Sequence, residues 1–465
     1  MRGLRINLYA VLLVTSVLLS SAEAQEPLVL GNLLQGVREG FPLILAAEED
    51  RSIAQGSRLS ALGEFDVRWK TKTSILSPGY YDRYTLDSLI EKPTSLAGLD
   101  LYGGYRQGLG DFAVYDEKAK TMDGGEARFG LNLPLLRDRS IDARRAGLAI
   151  AEAGIGLADQ SVQMKRIEIV LRVSVAYWKW VAAGKKLTVV ADLFRIAKER
   201  DSGLKERVAH GDIAEFERKD NLRGVLQREN QLYSAERSFQ EASFELSLFV
   251  RDPQGQPRVP TKEQLPKIIP PITAKEAYIE TKLLTQALEK RPEIQRIRQE
   301  RTQAEISGQH ADNQLMPKLD MVLEVSKDFG GNDPTRDPTE LSSGVQLEVP
   351  LQRRKAEGKL AEAQAKQRKL DRELEFINQR IGADIKDAIS ALKISREQLS
   401  IVGKELGFAR ELEEGERNRF EAGESTILIV NLREQATADS AVRQIDALVH
   451  YHLAEAYLHA ALGQS

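Results

Sequence analysis

Leu131-Asn132-Leu133-Pro134-Leu135 introduces a long charged helical stretch, and Leu347-Glu348-Val349-Pro350-Leu351 introduces another one in the second half of the chain. A second pair, Arg207-Val208-Ala209-His210-Gly211 and Arg419-Phe420-Glu421-Ala422-Gly423, recurs at nearly the same separation. A unit of roughly 200 residues is far longer than the repeats of solenoid proteins. The sequence therefore predicts an internal two-fold repeat, in which each half of the chain forms one half of a duplicated domain.

Each half has the same predicted order of elements, namely a helix, strands and a long helical hairpin. A proline-rich linker joins the halves, because six prolines within it exclude a continuous helix. The predicted bounds are 25–265 for the first repeat (strands within 62–136, hairpin 137–250), 251–272 for the linker, and 273–465 for the second repeat (strands within 315–351, hairpin 352–463).

The long helices carry a coiled-coil pattern. Each is expected to run for roughly 100 Å, at 1.5 Å per residue, before a glycine, Gly211 or Gly423, reverses the chain into an antiparallel partner helix. Apolar or small residues recur at spacings of three and four, which is typical of a packed seam between helices. The seam positions are Met164, Ile167, Leu171, Ser174, Trp178 and Val181 in the first half, and Leu370, Leu374, Ile377, Ile381, Ile385, Ala388, Leu392, Ser395, Leu399, Val402, Leu406 and Ala409 in the second.

Four strands are predicted, two in each half, near 65–70, 127–133, 318–325 and 345–349. Apolar and polar side chains alternate along them, so each strand has one apolar and one polar face. The turn-rich stretch 78–125 remains open, since it either adds strands or forms an ordered loop. The polar face is expected to carry Asp66, Arg68, Lys70, Asp320, Glu324, Gln346 and Glu348.

The N-terminus has the pattern of a secretory signal peptide, residues 1–24. Arg2 and Arg5 precede an apolar core, and Ser21-Ala22-Glu23-Ala24 supplies the small residues of a cleavage site before Gln25. The chain contains no cysteine, so this exported protein would be stabilised by packing or assembly rather than by disulfides. A formal net charge of −3 gives no support for a nucleic-acid partner.

Strands with one apolar and one polar face fit a barrel with lipid outside and water inside. A single chain with four strands cannot close such a barrel, and a bilayer requires closure because every backbone polar group must be satisfied. Three chains would supply 12 strands. The alternative is a soluble periplasmic coiled-coil scaffold, in which the strands form an antiparallel sheet with no pore.

In their order and spacing, these features resemble those of the TolC-like outer-membrane efflux protein family across essentially the whole mature chain. The resemblance is carried by the duplication, by Leu133-Pro134-Leu135 and Val349-Pro350-Leu351, by Arg419-Phe420-Glu421-Ala422-Gly423-Glu424-Ser425, and by the ending Ala456-Tyr457-Leu458-His459-Ala460-Ala461-Leu462-Gly463. It implies a mainly α-helical fold with a β-barrel part. Three chains would share a 12-stranded transmembrane β-barrel, and their coiled-coil helices would form a periplasmic α-barrel.

The resemblance also implies a location, a function and partners. The protein would lie in the outer membrane of a Gram-negative-type bacterium, in contact with its lipid, and extend into the periplasm. It would be a homotrimeric exit duct of a tripartite efflux pump or a type I secretion system. A periplasmic adaptor (a membrane fusion protein) would join it to an inner-membrane pump. The exported substrate and the particular pump are not readable from the sequence.

The resemblance places adaptor docking at the two glycine turns, His210-Gly211-Asp212-Ile213 and Ala422-Gly423-Glu424-Ser425. Members of the family commonly narrow the pore just past these turns with acidic side chains. Glu217 keeps the charge in the first half, whereas Ile429 and Leu432 stand where carboxylates are expected in the second. A gate formed by Glu217, Ile429 and Leu432 would therefore be partly hydrophobic and would close by dewetting.

No catalytic constellation is present in the sequence, so an enzyme is not expected. His452 and His459 share a helix face, but a zinc site needs further ligands at fixed spacing and none is nearby. The glycine pairs Gly103-Gly104 and Gly124-Gly125 lack the lysine and hydroxyl residue of a phosphate-binding loop. The sequence thus predicts no cofactor and no metal.

Overall fold

The computed structural model describes residues 26–252, 254–270, 272, 278–331, 336 and 338–464, apart from the side chains of 116–118. The predicted signal peptide, 1–24, and two of the linker prolines, Pro253 and Pro271, lie outside the described residues. Within the described part of the chain, no helix combines the length and the apolar character that a bilayer span requires.

Eight α-helices occur in the described residues, and their lengths pair between the two halves of the chain. The first and fifth each have 11 residues, the second and sixth 22, and the third and seventh 68. The bounds are Leu30–Gly40 (α1), Pro42–Gly63 (α2), Ala143–His210 (α3), Glu215–Ser247 (α4), Glu280–Lys290 (α5), Pro292–Asn313 (α6), Arg354–Glu421 (α7) and Ile427–Ala461 (α8).

Two of the helices start at a proline, and each half of the chain contains one long helical hairpin. Pro42 and Pro292 each occupy the first turn of a helix, where the missing N–H would have no intrahelical partner. The two 68-residue helices begin and end within a few residues of the predicted positions. Both are followed by an antiparallel return helix, α4 or α8.

The sheet has six strands in the described residues, so the predicted number of four is wrong. Its order follows the chain, β1-β2-β3-β4-β5-β6, and every neighbouring pair is antiparallel. The stretch 78–125 supplies the two additional strands, β2 and β3, as an inserted hairpin. The bounds are Arg68–Leu76 (β1), Arg83–Pro93 (β2), Asp100–Gly110 (β3), Glu126–Pro134 (β4), Lys318–Asp328 (β5) and Glu340–Glu348 (β6).

The helices form a layer that is four helices wide. Next to the sheet the order is α2-α3-α6-α7, and at the far end it is α4-α3-α8-α7. The long helices α3 and α7 therefore run through both levels, while α2 and α6 are replaced by α4 and α8 halfway along. Two apolar clusters lie at this change, where the short helices α1 and α5 pack onto α3 and α7, respectively.

A buried ionic network joins all four helices of the level that lies far from the sheet. Glu434 of α8 is 2% exposed and pairs with Arg200 of α3, with Arg228 of α4 at 3.2 Å and with Arg417 of α7 at 3.7 Å. Burial lowers the pKa of Arg228, and the Glu434 carboxylate opposes this shift. Arg200 and Arg228 are both largely buried, and the Glu434 carboxylate they share is the acidic group that lies directly against each of them.

We expect Glu434→Ala to destabilise the helical hairpins by about 3–5 kcal/mol, because it leaves two buried guanidinium groups without their anion. Far-UV circular dichroism during heating of the detergent-purified protein would measure the loss as a lower unfolding temperature. Glu199→Ala is the matched control, since Glu199 pairs with Arg195 on the exposed surface of α3. Equal unfolding temperatures for both variants would contradict the role given to Glu434.

Candidate functional site

The strand register divides the sheet into a polar and an apolar face. Residues directly opposite each other on neighbouring strands lie on the same face, so the register from Arg68↔Glu91 to Lys318↔Glu348 assigns every position. The apolar face carries Trp69, Ile75, Tyr84, Leu86, Ile90, Leu101, Phe129, Leu131, Leu133, Leu319, Met321, Leu323, Val325, Leu341, Val345 and Leu347.

Six of the seven residues predicted for the polar face lie together on it. They are Arg68, Lys70, Asp320, Glu324, Gln346 and Glu348. Asp66 does not belong to this set, because β1 begins only at Arg68 and the backbone N–H of Asp66 closes a turn with Gly63 at the end of α2. Asp66 therefore lies just outside the sheet, and its predicted position at the lumen stays a prediction.

A cluster of charged side chains crosses the middle of the polar face. The sequence patterns did not predict this cluster. Arg128 of β4 is 8% exposed, and its guanidinium lies 2.5 Å from Asp87 of β2 and 3.9 Å from Glu324 of β5. Arg106 of β3 pairs with Glu126 at 3.4 Å. The alternation of Tyr84, Leu86 and Ile90 with polar residues was the signal that could have placed Asp87 in a strand.

The two outer strands of the sheet have free backbone edges within the chain. β1 and β6 are both nine residues long, and every residue of either strand is exposed. They also run in opposite directions, because an even number of antiparallel strands separates the first strand from the last. Long exposed edges of this kind are templates for pairing with another strand.

The helical layer has unpartnered apolar stripes on its two opposite edges as well. On α4 the stripe consists of Leu222, Leu226 and Tyr233, and on α7 of Leu412, Phe408 and Ile401, all of them at least 36% exposed. Measured along the sequence from the glycine turn of each hairpin, Gly211 or Gly423, the two stripes have the same spacing. The equidistant pairs are Leu222 with Leu412, Leu226 with Phe408, and Tyr233 with Ile401.

Both glycine turns have the same backbone geometry. Gly211 has a φ of 83° and Gly423 a φ of 80°, a conformation that residues with a side chain rarely adopt. The N–H groups of Asp212 and Glu424 donate to the carbonyl oxygens of Arg207 and Arg419, in the pattern of a Schellman motif. Both hairpins therefore end in turns with the same hydrogen-bonded geometry.

The residues predicted for adaptor docking are accessible at these turns. His210, Gly211, Asp212, Ala422, Gly423 and Glu424 are exposed, whereas Ile213 and Ser425 are half-buried. The Ser425 hydroxyl donates to Glu416, which is 7% exposed and anchors the second turn.

The three predicted gate residues lie just past the turns on two different helices. Glu217 is exposed in the first turn of α4, and Ile429 and Leu432 are 38% and 61% exposed near the start of α8. Because α4 and α8 flank α3 on opposite sides, one chain does not bring these side chains into a single cluster. They remain a prediction.

The histidines considered for a metal site have other surroundings. The His452 ring stacks on Trp178 at a centroid distance of 4.1 Å and lies 3.2 Å from the carbonyl oxygen of Pro270. His459 contacts Gln464. Among the described residues, no group of three or more His, Asp or Glu side chains has the arrangement of a metal site.

Comparisons with known proteins agree with the resemblance noted in the sequence. Residues 283–464 match a family model described as outer membrane efflux protein. No curated protein sequence matches the chain.

Three solved structures have the same fold along nearly the whole chain. The CmeC outer membrane channel of Campylobacter jejuni has 13% sequence identity and a TM-score of 0.66, over 93% of this chain and 85% of that one. The outer membrane protein VceC of Vibrio cholerae has 16% identity and a TM-score of 0.65, over 94% and 96%. The open state of the Neisseria gonorrhoeae MtrE outer membrane channel has 15% identity and a TM-score of 0.66, over 94% and 89%.

The family match confirms the resemblance to outer membrane efflux proteins over residues 283–464, and with it the predicted location in the outer membrane. At identities below one fifth, the structural likeness establishes the fold of the remaining residues. The chain is therefore similar to outer membrane efflux proteins by sequence in residues 283–464, and it shares the fold of solved outer membrane channels along nearly its whole length.

Proposed function

We propose that this protein is a passive exit duct of a tripartite efflux pump or of a type I secretion system, and that it works as a homotrimer. The observation that carries the proposal is the open six-stranded sheet, which has an apolar face, a polar face and two unpaired edges. In a bilayer such a sheet must close on itself, because no water is present to satisfy a free edge.

Closure follows if β6 of each protomer pairs with β1 of the next. Both strands have nine residues and they are antiparallel, so the pairing continues the order of the sheet. Six strands from each of three chains give a barrel of 18 strands, not the 12 that were expected from four strands per chain. With a strand spacing of about 4.8 Å and a tilt of about 40°, such a barrel is roughly 35–40 Å across.

The same head-to-tail contact brings the two apolar stripes of the helical layer together. In a ring of protomers, α4 of one chain lies beside α7 of its neighbour, and the two helices run in opposite directions. Leu222, Leu226 and Tyr233 then meet the side chains at the same distance from the glycine turns, namely Leu412, Phe408 and Ile401. A rotation that closes after three copies turns this heterologous contact into a tube.

A soluble periplasmic scaffold is the competing function. It would leave Trp69, Ile75, Leu341, Val345 and Leu347 in water, each of them more than 60% exposed in the single chain. Contiguous exposed apolar surface of this extent is typical of a lipid or protein contact. A channel whose apolar face meets lipid accounts for these residues, and the scaffold does not.

The periplasmic end of the tube is the proposed docking site for the adaptor. Three copies of the two glycine turns form a ring of six exposed tips at this end. Glu217, Ile429 and Leu432 lie next to the tips and are the proposed pore-narrowing residues, with one acidic and two apolar side chains in each protomer. The exported substrate is set by the inner-membrane pump.

Cross-linking tests the trimer directly, since the native chain contains no cysteine. We expect the double variant Tyr233→Cys, Ile401→Cys to form disulfides between protomers, because the two residues are equally far from their glycine turns on facing helices. Non-reducing electrophoresis of isolated outer membranes should show a covalent trimer. The two positions cannot bridge within one chain, because α3 and α8 separate α4 from α7.

The double variant Tyr233→Cys, Leu412→Cys is the matched control for this experiment. It moves the second cysteine along α7 by roughly 16 Å, so no disulfide is expected. A covalent dimer as the largest product, or equal cross-linking of the two pairs, would contradict the proposed trimer interface. Recovery of the protein in the detergent-free periplasmic extract would instead favour the scaffold.

Adaptor docking is tested at the second glycine turn. Gly423→Val places a β-branched side chain at a φ of 80°, which costs about 1–3 kcal/mol and distorts the tip. We expect weaker co-purification of the channel with its adaptor and a lower rate of export from cells. Gly415→Val is the control, because Gly415 lies in the regular helix α7 and a Cβ there meets nothing within 4 Å. Export at the wild-type rate in the Gly423→Val strain, with normal channel levels, would argue against docking at this tip.

A further inference from the structure

The connection between β3 and β4, residues 111–125 (the β3–β4 loop), does not point away from the barrel. It lies against the polar face of the sheet, at the end remote from the helices. A Cβ built on Gly108, which lies on the polar face, would meet the carbonyl oxygen of Ala119 at 1.8 Å. The loop backbone therefore rests directly on β3 at this position.

Two further contacts hold the loop on the same face. The Asp328 carboxylate, on the polar face of β5, accepts a hydrogen bond from the backbone N–H of Met122 at 3.2 Å. The guanidinium of Arg83, at the start of β2, lies over the Phe112 ring at 5.6 Å. The loop thus contacts three different strands from one side of the sheet.

The last part of the loop is held by hydrogen bonds as well. Thr121 is 6% exposed and exchanges hydrogen bonds with Gly108 through both its backbone and its hydroxyl group. Gly124 donates its N–H to the carbonyl oxygen of Phe329 at 2.7 Å. Ahead of these anchors in the loop, Val114 and Tyr115 are 83% and 84% exposed and begin a short 3-10 helix, Val114–Ala119.

We propose that the β3–β4 loop folds inward over the lumen at the outer mouth of the barrel and limits the size of solute that passes there. The inference rests on the proposed function, because the polar face of the sheet is the lumen only if three protomers close a barrel. The loop belongs to the same insertion that widens the barrel, since β2 and β3 lead directly into it. The insertion therefore both enlarges the pore and supplies the element that narrows its exit.

The test uses a single cysteine deep in the lumen of an otherwise cysteine-free chain. Gln346→Cys lies on the polar face of β6, opposite Asp320 near the helical end of the sheet. Intact cells are treated either with a small membrane-impermeant maleimide or with polyethylene glycol maleimides of increasing size. The small reagent is expected to label this cysteine, whereas the large reagents are excluded by the loop.

Two glycine variants are compared in the Gln346→Cys background. One displaces the loop, and the other leaves it in place as the control. Gly108→Val forces the loop off the polar face, because even its Cβ overlaps the Ala119 carbonyl oxygen. Gly344→Val adds the same side chain on the same face of the sheet, at a position where a Cβ meets nothing within 4 Å. Labelling by the large reagents is expected to appear with Gly108→Val and to stay absent with Gly344→Val.

A shortened loop, with residues 112–119 replaced by two glycines, covers the case in which Gly108→Val lowers the amount of trimer. It too is expected to admit the large reagents. Labelling by the large reagents when the native loop is present would overturn the proposal. Continued exclusion after the loop is shortened, with trimer at the native level, would overturn it as well.

Failure of the proposed function gives a different result. Val345→Cys lies on the apolar face next to Gln346 and should react with none of the reagents, since it faces lipid. If Val345→Cys is labelled and Gln346→Cys is not, the two faces have been assigned the wrong way round. The polar face then does not line a lumen, and the proposed function fails. The loop proposal fails alone when Gln346→Cys reacts with reagents of every size although the native loop is present, or when the large reagents stay excluded after the loop is shortened.

Discussion

The free edges of the sheet are the constraint on which the rest of this structure depends. A strand edge in lipid has no water to bond with, so a membrane sheet must be closed. One chain leaves β1 and β6 unpaired, so the proposed function requires a folded unit in the membrane that is larger than one chain. The apolar stripes lie on α4 and α7, at the two edges of the helical layer. A ring of protomers that pairs the strand edges would therefore also bring these stripes together.

The two halves of the chain share their helices but not their strands. α3 and α7 both have 68 residues, and each is followed by a glycine turn of the same geometry, with φ values of 83° at Gly211 and 80° at Gly423. The second half joins its two strands by a short connection, whereas the first half inserts β2 and β3 between its strands. Helices that pack side by side in a tube must agree in length, while a strand hairpin can be added without disturbing them.

Sequence patterns predicted the helices better than the sheet, for physical reasons. A seam such as Ile381, Ile385 and Leu392 repeats over many turns, and these three residues are buried as expected. β3 contains Gly103, Gly104, Gly108 and Gly110, a composition that ordinarily weakens strands. Contacts with distant segments explain why glycine occurs there, since Gly104 and Gly108 lie too close to the backbone of other segments to carry a side chain. The ion pair of Arg128 with Asp87 was not predicted either, because β2 had not been recognised as a strand.

The sequence by itself determined what depends on local periodicity: the duplicated order of elements, the long hairpins, their glycine turns, and the two-faced strands beside Pro134 and Pro350. These features follow from residues that are close together in the chain. Only the tertiary structure decided the number of strands, the salt bridges of Glu434, the matching stripes at the two edges of the layer and the position of the β3–β4 loop on the polar face of the sheet. Each of these depends on which distant segments become neighbours, and a backbone contact such as that between Gly108 and Ala119 leaves no periodic pattern in the sequence.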